Sequence, residues 1–454
     1  MDSYARSFLC ACLPFFIFPA LAHADWNQIY LSAGVGADAL ADDGRITPPN
    51  NKGHISYGGP VGGDVGWDVS AGIDAQLNQM FVVGAFANFD WSNIDTEGTF
   101  HSNATTVHVS AFDLKNAWTV GGRAGVLITP STLAYGLLGY SWFDFDNLRV
   151  SAVDSGGGSQ GSGGGFAGVL NEPIRNGITI GGGVEQKITP NLSLKAEYRF
   201  TDLGDVDQAI DTVQIDRHSS IQTVRVGAAY RLGWGETPMG SPDQAPVTRN
   251  WTGFYCGAGI AVDAFVQDAS LHAVNDSGSL HVGGLGGGDI SGTVTAGYDR
   301  QIEPRWLIGT FADYNWMGQD FSVRLAGIGD DGSGHASGHL MSLDNSWTAG
   351  ARTGYLLAND VLAYGLLGFT RAEMNDVRVD TGRKQYGIRY PFFDGVTIGG
   401  GFEKLLTDHI SLKAEYRFTD LQESTIRGDL GAPVVGEADP NIHSASISAA
   451  YRFP

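Results

Sequence analysis

Along residues 192–201 the side chains alternate without a break. Leu192, Leu194, Ala196, Tyr198 and Phe200 fall on one parity, and Ser193, Lys195, Glu197, Arg199 and Thr201 on the other. A period of two puts successive side chains on opposite faces of a strand. The same alternation sets Val224, Val226, Ala228, Tyr230 and Leu232 against Arg225, Gly227, Ala229 and Arg231. It also sets Trp118, Val120, Ala124 and Val126 against Thr119, Gly121, Arg123 and Gly125. Eight segments can be read this way in the first half of the chain, beginning near Trp26, Asp64, Met80, Asn116, Thr132, Ile174, Leu192 and His218.

The connections between segments alternate in length. Tight turns are expected at Asn78-Gln79, Thr129-Pro130-Ser131 and Thr189-Pro190-Asn191, where Asn, Pro and Ser favour reversal. Long connections are expected at Leu40 to Gly63, Ile94 to Leu114, Ser151 to Pro173 and Gly204 to Arg217. Short turns on one side and long loops on the other are the pattern of a transmembrane barrel. Such a barrel turns its apolar parity to lipid and its polar parity inward, and closure satisfies every backbone group in a medium without water.

The second half repeats the first. Trp26 to Ala39 matches Trp251 to Ala264, and Leu133 to Gly139 recurs at Leu362 to Gly368. Asp64, Asp74, Gly84 and Trp91 match Asp289, Asp299, Gly309 and Trp316. Ser193 to Leu203 is identical to Ser411 to Leu421. Tight turns in the second copy fall at Glu303-Pro304, Asn359-Asp360 and Asp408-His409. The expected fold is all-β, with two tandem eight-stranded antiparallel transmembrane β-barrels; the alternative is one sixteen-stranded barrel.

Ahead of the first copy, Arg6 precedes an apolar run from Phe8 to Leu21 and then Ala22-His23-Ala24. That is the form of a secretory signal peptide cut before Asp25. The expected organisation is a signal peptide at 1–24, a barrel at 25–233, a Pro-rich periplasmic linker at 234–250 and a second barrel at 251–454. Cys10 and Cys12 leave with the signal peptide, and Cys256 alone predicts no internal disulfide.

Composition agrees with a β-rich chain: 65 Gly, 11% aromatic and only 17% charged residues. A formal net charge of -21 repels phosphate backbones, so nucleic acid is not an expected partner. The acidic excess reads as solvated loops, with divalent cations bridging to anionic lipopolysaccharide as the alternative.

Parity places Asp74, Arg123, Glu185, Lys195, Glu197, Arg199, Arg225 and Arg231 inside the first barrel. In the second it places Asp299, Arg352, Glu403, Lys413, Glu415, Arg417 and Arg452. Mixed signs at this density pair with one another in a lumen that eight strands nearly fill, so they read as a plug, with a narrow charged pore as the alternative. Inward Gly121, Gly125, Gly181 and Gly183 leave room for long neighbours. Trp26, Trp91, Trp251, Trp316 and Trp347 lie at strand ends, where interface girdles are expected.

The opening WTGFYCGAGI, the strand SLKAEYRFTDL and the closing AAYRL and AAYRF resemble the alphaproteobacterial outer-membrane immunogenic-protein, or porin-like, family of OmpA-type eight-stranded barrels. The resemblance spans each copy. It implies an outer-membrane location, insertion by the barrel-assembly machinery, lipid and lipopolysaccharide surroundings, and surface loops open to host or cell-surface ligands. Two features depart from the family pattern: the barrel is doubled, and Phe453 is followed by Pro454.

Chemistry has few footholds. His108 and Ser110, His335 and Ser337, His218-Ser219 and His443-Ser444 are the histidine–serine neighbours a lipid A deacylase would need. Residues 329–334 (GDDGSG) lack the regular carboxylate spacing of a calcium loop. Gly181 to Gly183 lies mid-strand, not ahead of a helix, so it is no phosphate loop. No cofactor or metal is expected. The reading is a non-enzymatic outer-membrane barrel with a structural, surface-interaction or weak pore-forming role. The alternatives are a lipid A-modifying barrel enzyme, or a general porin if the copies fuse.

Overall fold

A computed structural model of the chain describes residues 26–47, 54–102, 105–146, 148–154, 166–170, 174–210, 213–233, 249–275, 278–326, 335–380, 384–429 and 433–453. The expected signal peptide, most of the linker, the Gly-rich stretch at 155–165 and the 329–334 segment lie outside these residues.

Every described element is a strand. The first copy holds β1 (Gln28–Thr47), β2 (His54–Gly58), β3 (Pro60–Gln76), β4 (Phe81–Ser102), β5 (Thr105–Thr129), β6 (Thr132–Phe145), β7 (Leu148–Asp154), β8 (Phe166–Leu170), β9 (Arg175–Lys187), β10 (Leu192–Ile210) and β11 (Val213–Gly233). The second holds β12 (Gly253–Ala273), β13 (Gly278–Gln301), β14 (Trp306–Ala326), β15 (His335–Ala358), β16 (Val361–Met374), β17 (Val377–Asp380), β18 (Gln385–Arg389), β19 (Phe393–Leu405), β20 (Ile410–Leu421), β21 (Ser424–Asp429) and β22 (Pro433–Arg452).

Strand β11 returns to pair with β1 along its whole length, from Gln28–Gly233 to Thr47–Gln214. Strand β22 returns to β12 in the same way. Each copy therefore closes on itself as an eight-stranded antiparallel barrel, and the single sixteen-stranded wall is replaced by two. Polar side chains hold the tight turns. Asn78 Oδ1 accepts from the Met80 and Phe81 amides at 2.8 and 2.9 Å, and Thr189 and Thr407 cap the amides of Leu192 and Ile410, both at 2.9 Å.

Where the long connections are described, they are strand over most of their length. Strands β4 and β5 run on as a hairpin to Ser102 and Thr105, and β10 and β11 to Ile210 and Val213. These extensions cross between copies. Residues Glu97–Ser102 of β4 pair with Gly283–Gly278 of β13, and His54–Gly58 of β2 pairs with Ala326–Ser322 of β14. The two barrels are separate walls below and share sheet at the rim, where strand addition satisfies otherwise open edges.

Parity sorts the side chains by environment. Leu31, Trp67, Leu138, Ile178, Ile260 and Phe254 are more than half exposed on the outward parity, which is the surface a bilayer covers. Trp67 pairs with Trp91 and Trp118 with Trp142 across neighbouring strands, and with Trp316 and Trp347 they form the outer aromatic level. A few outward positions are buried because the other barrel covers them: Ala37, Ala39 and Ala264 in one cluster, Val224, Val262 and Ala445 in another. Outward Tyr416 and His443 share a 2.8 Å hydrogen bond there, and His443 Nε2 lies 3.8 Å from Asp64 Oδ1.

Trp26 and Trp251 correct the girdle expectation. They are 0% and 1% exposed and sit under the lumens, where their Nε1–H groups donate to Pro130 O and Asn359 O, each at 3.1 Å. Strand-end position alone does not tell a lipid-facing ring from one tucked beneath the barrel. In single-tryptophan variants reconstituted with brominated lipid, we expect strong quenching at Trp67, Trp91, Trp316 and Trp347 and little at Trp26 or Trp251. Equal quenching at all six sites would contradict the placement.

Candidate functional site: the charged lumens

The lower lumen of each barrel is built from four charged side chains on four strands. In the first, Arg123 on β5 grips Asp74 on β3 with two hydrogen bonds, Nε to Oδ1 at 2.9 Å and Nη2 to Oδ2 at 2.5 Å. Its Nη1 lies 3.1 Å from Glu185 Oε2 on β9. Arg231 on β11 closes the ring, 2.9 Å from Asp74 and 2.6 Å from Glu185. The second barrel repeats the ring. Arg352 holds Asp299 at 2.9 and 2.5 Å and Glu403 at 3.0 Å, while Arg452 lies 2.7 Å from Asp299 and 2.9 Å from Glu403. Two cations and two anions balance, and bidentate geometry offsets desolvation of the kind that makes an unpaired buried charge costly.

Aromatic rings complete this floor. Tyr30 lies under Arg123 at 4.5 Å and Tyr255 under Arg352 at 4.5 Å, while Trp26 and Trp251 lie 4.5 and 4.8 Å from Arg231 and Arg452. Room for the tyrosines comes from Gly72 and Gly297. A Cβ at either site would stand 2.5 Å from the ring's Cζ. Parity analysis missed these rings because it sorted tyrosine and tryptophan with the lipid-facing apolar set. Their recurrence at matching places in both copies was the available signal.

Above the floor, Glu197 accepts from Tyr135 at 2.6 Å and pairs with Arg199 at 2.5 Å. Glu415 accepts from Tyr364 at 2.6 Å and pairs with Arg417. Lys195 reaches Ser70 at 3.4 Å, and Lys413 lies 5.6 Å from the Tyr255 ring centre. Rows of hydroxyls cross the strands at this height: Thr119–Ser141–Thr179–Thr201 in the first barrel and Thr348–Thr370–Thr397–Thr419 in the second. Of the lumen residues expected from parity, all but Arg417 are buried, and Arg417 keeps 13% of its side chain exposed.

Higher still, the copies diverge. The first barrel carries Arg225, 2.8 Å from Asp38, 3.5 Å from Asp90 and 3.9 Å from Asp68. Nearer the rim Arg175 donates to Ser219 at 2.6 Å, and Ser219 and Tyr57 both donate to Asp42. At the corresponding places the second barrel has Ser446, Phe393 and Gln267. The lumen is therefore not polar throughout. Phe265, Met317, Leu343, Met374, Phe393 and Ile442 join Leu40, Ile94, Leu114 and Ile221 of the first barrel in one apolar cluster under the shared rim.

Strand geometry separates the two adjacent histidine–serine pairs, His218-Ser219 and His443-Ser444. His218 points outward to Asp205, 3.0 Å away, while Ser219 is inward and buried. His443 is outward against Tyr416, and Ser444 faces the second lumen. Adjacent strand residues cannot act on one another as base and nucleophile from opposite faces. His108 Nδ1 is 2.9 Å from Thr99 Oγ1. The Ser110 and His335 side chains lie outside what is described. Among the described residues no group of three His, Cys, Asp or Glu side chains converges as a metal site.

A family model described as "Outer membrane protein beta-barrel domain" matches the chain twice, at residues 8–231 and 239–453. The 31 kDa outer-membrane immunogenic protein of Brucella melitensis is 30% identical over 185 residues, 39% of this chain and 68% of that protein. The 22 kDa outer membrane protein of Rhizobium leguminosarum is 27% identical over 194 residues, 42% of this chain and 74% of that protein. Among solved structures, the outer membrane protein OprG of Pseudomonas aeruginosa is similar at TM-score 0.30 and 14% identity, over 45% of this chain and 97% of that one.

The rings of paired charges generate a stability prediction. Asp74→Ala or Asp299→Ala leaves two buried guanidinium groups sharing one carboxylate, Glu185 or Glu403, and breaking buried pairs of this kind costs about 3–5 kcal/mol. Urea unfolding in detergent micelles should show it as a lowered midpoint, and a midpoint unmoved by either substitution would contradict the buried ring.

Proposed function

We propose a non-catalytic role at the cell surface for this chain, which belongs to the outer membrane protein β-barrel family and resides in the outer membrane. The observation that carries the reading is the pair of charge rings. Each lumen is spanned by four mutually bonded side chains above a tryptophan, so each barrel is a filled cylinder rather than a conduit. A wall that encloses no passage leaves its outer face and its rim to act. The outer face meets acyl chains, and the rim, built from strands of both copies, meets lipopolysaccharide headgroups and whatever approaches the cell.

Likeness to a relative named an immunogenic protein supports the rim as the antigenic part, with host or cell-surface molecules as its partners. The same membership supports insertion by the barrel-assembly machinery. A channel is the weaker reading, since opening one would require breaking buried ion pairs. The lipid A-modifying enzyme is weaker still, because His218 and His443 stand on the opposite face from Ser219 and Ser444.

In planar bilayers the purified chain should give no reproducible stepwise conductance at neutral pH. Steady single-channel steps would overturn the closed-lumen reading. Cells expressing the wild type and His108→Ala should show the same lipid A species by mass spectrometry, and loss of a modified species in the variant would restore the enzymatic reading.

A further inference from the structure

Four of the chain's 11 histidines meet on one patch of the shared rim sheet. The strands run β5–β4–β13–β12–β22 there, so the patch crosses from one copy to the other. Register aligns two rows of side chains across it. One row is His108, Thr99, His281 and Ser270, and the next is Thr106, His101, Ser279 and His272. Residues paired in this way share a face of the sheet. It is the outer face, because Leu271, between Ser270 and His272, packs on the apolar cluster under the rim. His101, His108, His272 and His281 are all exposed. His101 lies ten residues beyond Trp91 along β4, on the aqueous side of the outer aromatic level.

Three of the four form a triangle around Ser279. His101 and His272 flank Ser279 on the strands to either side, and His281 stands two residues along its own strand. Strands about 4.8 Å apart put His101 and His272 roughly 10 Å from one another. Diagonal spacing puts His281 about 7–8 Å from each. The centre of such a triangle is roughly 5 Å from each Cβ, and an imidazole holds a metal on Nε2 roughly 5–6 Å from its own Cβ. An ion just above Ser279 is therefore within reach of all three rings, and the small serine leaves it room. As they stand the rings do not converge; being exposed, they close by turning about their side-chain bonds. His101 Nδ1 is already 2.7 Å from Thr106 Oγ1, which leaves Nε2 as the ligand nitrogen and steadies the ring from behind. Glu97 lies diagonal to His281 and Glu437 to His272, so the local field favours a cation, and the basic Arg427 stands one strand farther out. We propose that this junction binds one ion of the Zn²⁺ class through His101, His272 and His281, with a fourth position open to water or an external ligand.

One ligand comes from the first copy and two from the second, so the ion clamps β4 to β13 where the copies join. The untagged chain is refolded into detergent and titrated with Zn²⁺ by calorimetry, and with Co²⁺ by visible absorption. The wild type should take up about one tight equivalent above the weak background of its surface carboxylates, and Co²⁺ should give the intense band of a four-coordinate site. His272→Ala and His281→Ala should each weaken that equivalent at least about tenfold and remove the Co²⁺ band. Both rings are exposed, so the variants keep the fold. His108→Ala and His409→Ala should bind as the wild type does. A wild type that binds no more tightly than His281→Ala would overturn the site. So would loss in His108→Ala with none in His272→Ala, which would place the ion over Thr99.

Discussion

The ring of Asp74, Arg123, Glu185 and Arg231, with its counterpart Asp299, Arg352, Glu403 and Arg452, is the constraint around which each barrel is organised. Eight strands in lipid enclose a space too narrow for bulk water and too polar to collapse. Charges placed there must find one another, because each unpaired group would carry several kcal/mol of desolvation cost. The ring links β3, β5, β9 and β11 across the lumen, so strands that are not neighbours in the wall are joined through its middle. Tyrosine and tryptophan rings beneath the guanidinium groups extend that link to the turn carbonyls at Pro130 and Asn359.

Duplication shows which parts of this design tolerate change. The floor is the same in both copies, residue for residue and nearly distance for distance. The upper lumen is not. Near the rim, Arg175 of the first barrel gives way to Phe393, which joins an apolar cluster, and Asp42 gives way to the neutral Gln267. Both solutions fill the space, one by charge pairing and one by packing. The change from Arg225 to Ser446 falls at the boundary between them, and room is left there.

The rim adds a second consequence. Below it each wall closes on itself, so the barrels satisfy the requirement that no sheet edge face lipid. Above it water is available, that requirement lapses, and strands of one copy pair with strands of the other. Outward-facing Ala37, Ala39 and Ala264 let the walls approach beneath this junction, and Tyr416 and His443 place polar groups on a surface that would otherwise meet acyl chains. The surface offered to the exterior is accordingly composite.

Much of this was legible in the chain. Alternation in Leu192 to Thr201 and its exact repeat at 411–421 determined the strands, the two-copy organisation and the inward charges, because side-chain parity in a strand follows from backbone geometry alone. The tight turns were marked by Asn, Pro and Thr for equally local reasons. Parity did not say that Trp26 turns under the lumen while Trp91 faces lipid, that the long connections continue as strands, or that β11 closes on β1 and not on the next copy. Those outcomes depend on which distant segments meet. Which acid faces which arginine, and where a serine leaves a space, is likewise set by side chains converging from strands far apart in sequence, so only the closed barrel decides it.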